Sequence, residues 1–235
     1  MKRHHRPLRA VLSQLPFQHR IHDLWWSWKA KKKEILTSWN RETGVVFIHT
    51  PKCAGTSVYK TLKMQQPEIG SHIPIKAYYA ADAELAPRLN SFTFVRNPWD
   101  RFVSAFHYLA FHAEGSGDRS FAAANFGDEP NFAEFTNRFL SDRKYRCAVL
   151  SHPHFRPQVH YVFTADWKHK PKYVFRIEDG LEQLSEITEG LGMELTVEST
   201  NFSQRAGYRD YFTEDQADGI GKVYRKDVDM LGYAF

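Results

Sequence analysis

The stretch Gly44-Val45-Val46-Phe47-Ile48-His49-Thr50-Pro51-Lys52-Cys53-Ala54-Gly55-Thr56-Ser57 decides the fold. Its first half is a short apolar run that ends at a turn marked by Pro51 and Gly55. Such a run reads as a buried strand, and Thr56 to Lys63 then suits a helix. A turn between a buried strand and a helix leaves unpaired N–H groups at the helix start. With the helix dipole they make an anion site. Ala54 and Gly55 let an anion approach the backbone, Thr56 and Ser57 offer hydroxyls, and Lys52 brings a mobile positive charge. The order differs from the nucleotide-kinase loop, in which Gly-Lys-Ser/Thr closes a longer glycine-rich stretch. Here the lysine precedes the glycine by three positions, and no clear magnesium-binding acid follows. A plain strand–turn–helix connection is the alternative reading of the same spacing.

A second strand–helix unit lies downstream. Phe92-Thr93-Phe94-Val95 reads as a strand, and Pro98 to about His112 as a helix with Asn97 as its N-cap and proline at its first position. Arg96 sits where the strand ends. Ser104, in the second turn of the helix, leans back toward the same crevice, because helical side chains point toward the N-terminus. An arginine fork plus a hydroxyl suits a phosphate monoester, and ligands of open α/β sheets bind at the carboxyl ends of strands. Asp100 and Arg101 carry less weight, since a salt bridge on the helix surface explains them equally well.

Working outward, Gly115 to Pro130 reads as a loop rich in Gly, Asp and Ala. Phe132 to Leu140 reads as a helix with Phe132, Phe135 and Phe139 on one face. Strands are expected at 161–164 and 173–177. Thr213-Glu214-Asp215-Gln216 forms a capping box that opens the last helix. Strands alternating with helices imply an α/β fold with a P-loop-type parallel sheet flanked by helices. Before it, residues 1–43 form a basic, aromatic helical extension. Leu8, Val11, Leu12 and Leu15 recur at helical spacing there, as do Ile21, Leu24, Trp25 and Trp28. Packing on the main domain, residues 44–235, is the favoured use of this segment, with peripheral membrane contact as its alternative.

The 235 residues fit one such domain. A composition of 42% hydrophobic and 25% charged residues is that of a globular protein. The net charge of +5 draws polyanions without choosing among nucleic acid, acidic glycans, lipid and nucleotide donors. Cys53 and Cys147 match no metal spacing and imply a reducing compartment. No apolar run approaches the roughly 20 residues that span a bilayer, and the first residues are not a secretory signal. The expectation is a cytoplasmic protein.

The segment Ile48 to Ser57 resembles the 5′-phosphosulfate loop of the carbohydrate-type (family 2-like) sulfotransferases, and Phe94 to Phe106 resembles the same family's 3′-phosphate motif. Further likeness runs through His154-Phe155-Arg156-Pro157-Gln158, Tyr173 to Glu178, Asn201-Phe202-Ser203, Tyr211-Phe212 and Val223 to Phe235, so it covers residues 44–235. With no membrane-spanning run, the resemblance implies a bacterial enzyme that moves a sulfuryl group from 3′-phosphoadenosine-5′-phosphosulfate (PAPS) to a hydroxyl, most expected on a saccharide, without a metal. It implies that Lys52, Cys53, Ala54, Gly55, Thr56, Ser57, Arg96 and Ser104 bind the donor, and that Lys52 assists the leaving group.

Transfer to a hydroxyl wants a general base near neutrality, and histidine fits. Of 12 histidines, His72 lies between the two motifs, where relatives carry a catalytic histidine or acid. His152 and His154 are rivals, with His154 the stronger, and Glu178 is a further candidate whose alternative is a pairing with Arg176 or Arg156. Two other readings compete. A P-loop kinase would need ATP and magnesium. A basic nucleic-acid-binding protein finds no recognised module in the chain. Tyrosine or a small metabolite stands beside the saccharide as acceptor.

Overall fold

The computed structural model describes residues 25–26, 28–30, 35–61, 72–189 and 207–235. Three parallel strands form the sheet: β1 (Val45–Phe47), β2 (Asn90–Val95) and β3 (Tyr173–Arg176), in the order β1-β2-β3. Val45 pairs with Asn90 and Phe47 with Phe92, while Val95 pairs with Arg176, so β2 and β3 end together and β2 runs on past the last pair with β1. A parallel sheet is covered on both faces, and alternate residues serve opposite faces. Val45 and Phe47 join Phe92, Phe94, Phe175 and Val58 in one apolar cluster. Val46 and Ile48 join Ile73, Ile75, Tyr78 and Leu89 in another.

Parallel neighbours need crossover connections. The helix α1 (Ser38–Thr43) precedes β1, and α2 (Gly55–Thr61) and α3 (Ile75–Ala81) lie between β1 and β2. Between β2 and β3 run α4 (Pro98–Phe111), α5 (Ser116–Asn125), α6 (Phe132–Ser141), α7 (Arg143–Ser151) and α8 (Val159–Val162). The short α9 (Ser185–Thr188) follows β3, and α10 (Glu214–Val223) and α11 (Arg225–Leu231) close the chain. Asn97 Oδ1 accepts from Trp99 N at 3.1 Å, which caps α4 with Pro98 in its first turn. The capping box at Thr213 and Gln216 starts α10. The aromatic residues mostly form a core: Phe102, Phe106, Phe135, Phe139 and Phe155 lock α4 to α6, α7 and α10.

Two expectations are corrected. Residues 115–130 are not a loop throughout, because Ser116–Asn125 is helical and leans Phe121 and Ala122 on the aromatic core. Residues 161–164 are not a strand. Val159–Val162 is a helical turn whose first amides, Gln158 N and Val159 N, are both bound by the buried carboxylate of Asp227 at 2.8 and 3.0 Å. Of the N-terminal segment, Trp26 and Ala30 pack with Ile35 and Leu36 into the cluster beneath α3, while Trp25 and Trp28 are exposed. The Leu8-to-Leu15 stripe, Ile21 and Leu24 lie outside the described residues, as do Asn201, Phe202 and Ser203.

Candidate active site

The loop after β1 is bent by two non-glycine residues in the left-handed region, Lys52 at φ 67° and Ala54 at φ 55°. Each position costs an L-residue about 1–2 kcal/mol. Left-handed residues within such a turn direct successive N–H groups to one side, the concavity that backbones use to hold anions. The surroundings hold the loop in this shape. Arg101, 2% exposed, donates from Nε to Pro51 O at 2.8 Å and from Nη1 to Arg156 O at 2.9 Å. It is a buried latch between the loop and the chain at 153–156, and not a surface ion pair. Thr93 Oγ1 donates to Ile48 O at 2.7 Å and lies 3.2 Å from Thr50 Oγ1.

Within the loop the side chains divide by exposure. Thr56 is exposed, and Lys52, Ala54 and Ser57 are half-buried. Cys53 is buried, with Sγ 3.4 Å from Gln158 Oε1, and burial pushes its thiol up to about 12. It stays a neutral thiol, so only its backbone can face a ligand. Gly55 is required by close approach: a Cβ there would lie 1.8 Å from His49 Nε2.

Arg96 joins the two motifs. Its Nη1 donates to Lys52 O at 3.3 Å and to Ser104 Oγ at 3.1 Å, and its Nε pairs with Asp100 Oδ2 at 2.6 Å. Gln158 braces the same point, accepting from Arg96 N at 2.9 Å and donating to Arg96 O at 2.7 Å. Burial, with the Arg96 guanidinium nearby, brings the Lys52 ammonium down to about 8. Cations held together at the ends of adjacent parallel strands favour an anionic ligand.

The histidines converge on the same loop. His72 and His49 lie with ring centroids 4.4 Å apart, and His72 and His154 5.8 Å apart. His72 Nδ1 lies 3.3 Å from His49 O. A carbonyl only accepts, so Nδ1 carries the hydrogen and Nε2 keeps its lone pair. Lys52 Nζ sits 4.0 Å from the centroid of the Tyr108 ring, and Tyr108 donates its hydroxyl to Asp118 Oδ2 at 3.0 Å. His152 Nε2 and His154 Nε2 approach the two Asp118 oxygens at 3.3 and 3.5 Å. Burial and neighbouring positive charge bring His72 and His152 down to about 4 and also lower His49 and His154. The hydrogen bond from His154 holds Asp118 at about 2.

Lys52, His72 and His154 thus share one site with Arg96 and Ser104 on its flank. Glu178 accepts from Asn97 N at 2.6 Å and from the Tyr233 hydroxyl at 3.1 Å. Sequence reasoning missed His49, Tyr108 and Asp118. His49 was legible as the residue ending the apolar run before the turn; Asp118 carried no local signal, lying in a segment read as loop.

The family model described as the sulfotransferase family matches residues 37–234. No curated protein and no solved structure matches the chain.

Proposed function

The chain belongs to the sulfotransferase family, and from that premise we propose that it transfers a sulfuryl group from PAPS to a hydroxyl, most suitably of a saccharide, by in-line displacement. The observation that carries this reading is the Arg96 bridge, which ties the Lys52 loop to Ser104 and supports a single anion-binding edge built from two motifs. In this reading the amides of residues 52–57 and the hydroxyls of Thr56 and Ser57 hold the 5′-phosphosulfate, while Arg96 and Ser104 hold the 3′-phosphate. Residues 44–235 carry the reaction, and residues 1–43 are an extension of it.

The acceptor oxygen attacks sulfur as its proton passes to His72 Nε2. The bond from sulfur to the bridging oxygen breaks, and its electron pair stays on the 5′-phosphate. Lys52 offsets that charge as it grows, which is preorganised electrostatic stabilisation worth about 3–4 kcal/mol for a well-placed donor. A His72 at about 4 is neutral but weakly basic. The donor's negative charges raise it toward neutrality, where a base is most effective.

Incubation with sulfur-35-labelled PAPS and a panel of oligosaccharides, tyrosyl peptides and small alcohols tests the reading. Labelled saccharide is the expected product. Lys52→Ala should lose turnover by about a hundredfold or more while keeping only part of its nucleotide affinity. Phosphate transfer from ATP–Mg in place of sulfate transfer would replace the proposal with the kinase reading.

A further inference from the structure

Two histidines flank Asp118, and their hydrogen-bond partners separate their roles. His152 is fixed at both ends: its Nδ1 accepts from His154 N at 3.4 Å and its Nε2 faces Asp118 Oδ1 at 3.3 Å. It has no nitrogen to spare. His154 turns Nε2 to Asp118 Oδ2, and its Nδ1 is buried with no hydrogen-bond partner among the described residues. A carboxylate can only accept, so Nε2 carries the hydrogen and Nδ1 keeps an unused lone pair. Leaving such an atom buried costs about 1–3 kcal/mol. The ring lies 5.8 Å from His72 and 5.0 Å from Tyr108, centroid to centroid.

We propose that Asp118 is a positioning residue that presents His154 Nδ1 to the reaction, and that this pair receives the acceptor's proton from His72. This rests on the sulfuryl-transfer reading above. The proton taken up at His72 Nε2 passes to His154 Nδ1, directly or through one water. His72 returns to its neutral form, and the imidazolium formed at His154 faces a carboxylate. The surroundings favour that final location. The charged and titratable groups around His154 include Lys52 from the loop, His49 after β1, Arg101 and Tyr108 from α4, Asp118 from α5, and His72 and His152. Asp118 is the anion among them, and it bonds His154 and not His72. The logic is that of a carboxylate fixing the tautomer of a catalytic imidazole and stabilising its cation.

The test combines kinetics with nitrogen-15 spectra of the histidine rings. Asp118→Asn should lower kcat about a hundredfold, the scale of one acid–base group, while KM for PAPS and the melting temperature stay near wild type. The asparagine amide can donate to Nε2, so the spectra should show His154 carrying its proton on Nδ1. His154→Gln should reproduce the loss of kcat with KM kept. Wild-type kcat in either variant overturns the proposal, as does an Nδ1–H tautomer of His154 in the wild-type protein. If wild-type protein moves no sulfuryl group to any acceptor, the functional reading fails. The spectra still decide whether Asp118 sets the His154 tautomer.

Discussion

Gly55→Ala places one methyl group against the ring that supports the proposed base. The new Cβ would lie 1.8 Å from His49 Nε2, 2.0 Å from Cδ2 and 2.4 Å from Cε1. Ordinary contact at 3.4 Å requires the ring to recede by 3.4 − 1.8 = 1.6 Å. It has little room, because it packs between Phe47, Tyr59 and His72 at centroid distances of 5.6, 5.7 and 4.4 Å. Overpacking a core costs about 1–3 kcal/mol, and a boxed-in ring belongs at the upper end. At ~2–4 °C per kcal/mol for a chain of this size, Tm should fall by about 4–12 °C. His72 moves with His49, since it leans on both its ring and its carbonyl. A displacement near 1 Å should lower kcat by about a hundredfold. Gly117→Ala is the control. It lies in α5 with nothing within 4 Å of a new Cβ, and should be neutral or stabilising by about 0.5–1 kcal/mol. Adding His49→Ala to Gly55→Ala removes the clashing ring and should restore part of the lost stability, a coupling that independent sites do not show. Thermal melts and PAPS turnover read all four proteins. A Gly55→Ala protein with wild-type Tm and kcat would refute the packing argument.

Ala54→Gly should relieve the positive φ, a gain of about 1–2 kcal/mol offset by roughly 0.4–1 from the freer unfolded chain, so Tm should rise slightly with turnover kept. A clear drop in Tm would count against strain at that position. The depressed histidines make stability pH-dependent. His72 and His152, at about 4 when folded, bind protons more readily when unfolded, so stability is present above about 6.5 and falls as pH drops toward 4. The slope should approach ~1 kcal/mol per pH unit per histidine, and denaturant melts across that range should show it shrink in His72→Gln. Donor affinity depends on pH in the other direction. An anion favours protonated Lys52, so affinity for 3′,5′-adenosine bisphosphate should fall as pH rises through about 8. Lys52→Arg, charged throughout, should lose that dependence.

The parts legible in the sequence were those specified by neighbours along the chain. The apolar run at 45–48, the turn at 50–55, the Asn97-Pro98 start of α4 and the Thr213 capping box are local signals, and the structure contains each of these elements. What escaped was set by distant partners. Residues 161–164 have strand-like composition, yet the chain turns as a helix there because Asp227, 69 positions beyond Gln158, caps it. The segment 116–125 has little apolar periodicity of its own and is helical because Phe121 and Ala122 find the aromatic core. Arg101 read as a surface residue because its acceptors, Pro51 O and Arg156 O, lie 50 and 55 positions away. The strand–loop pairs at Lys52 and Arg96 could be named from sequence, but the hydrogen bonds joining them could not. The clustering of His49, His72 and His154 was hidden likewise, since it depends on how residues 72 and 154 return to the end of β1.

If two strand ends make a single donor site, calorimetric titration with 3′,5′-adenosine bisphosphate will show it. In the proposed site Lys52 and Arg96 would supply charge from different motifs and Ser104 a hydroxyl, and Arg96 Nη1 joins the two by donating to Lys52 O and Ser104 Oγ. Wild-type protein should bind one equivalent, more tightly than it binds ATP–Mg. Arg96→Ala should weaken binding by about tenfold to a hundredfold, the scale of a lost charge-assisted hydrogen bond. Tighter binding of ATP–Mg, or unchanged affinity in Arg96→Ala, would contradict the account.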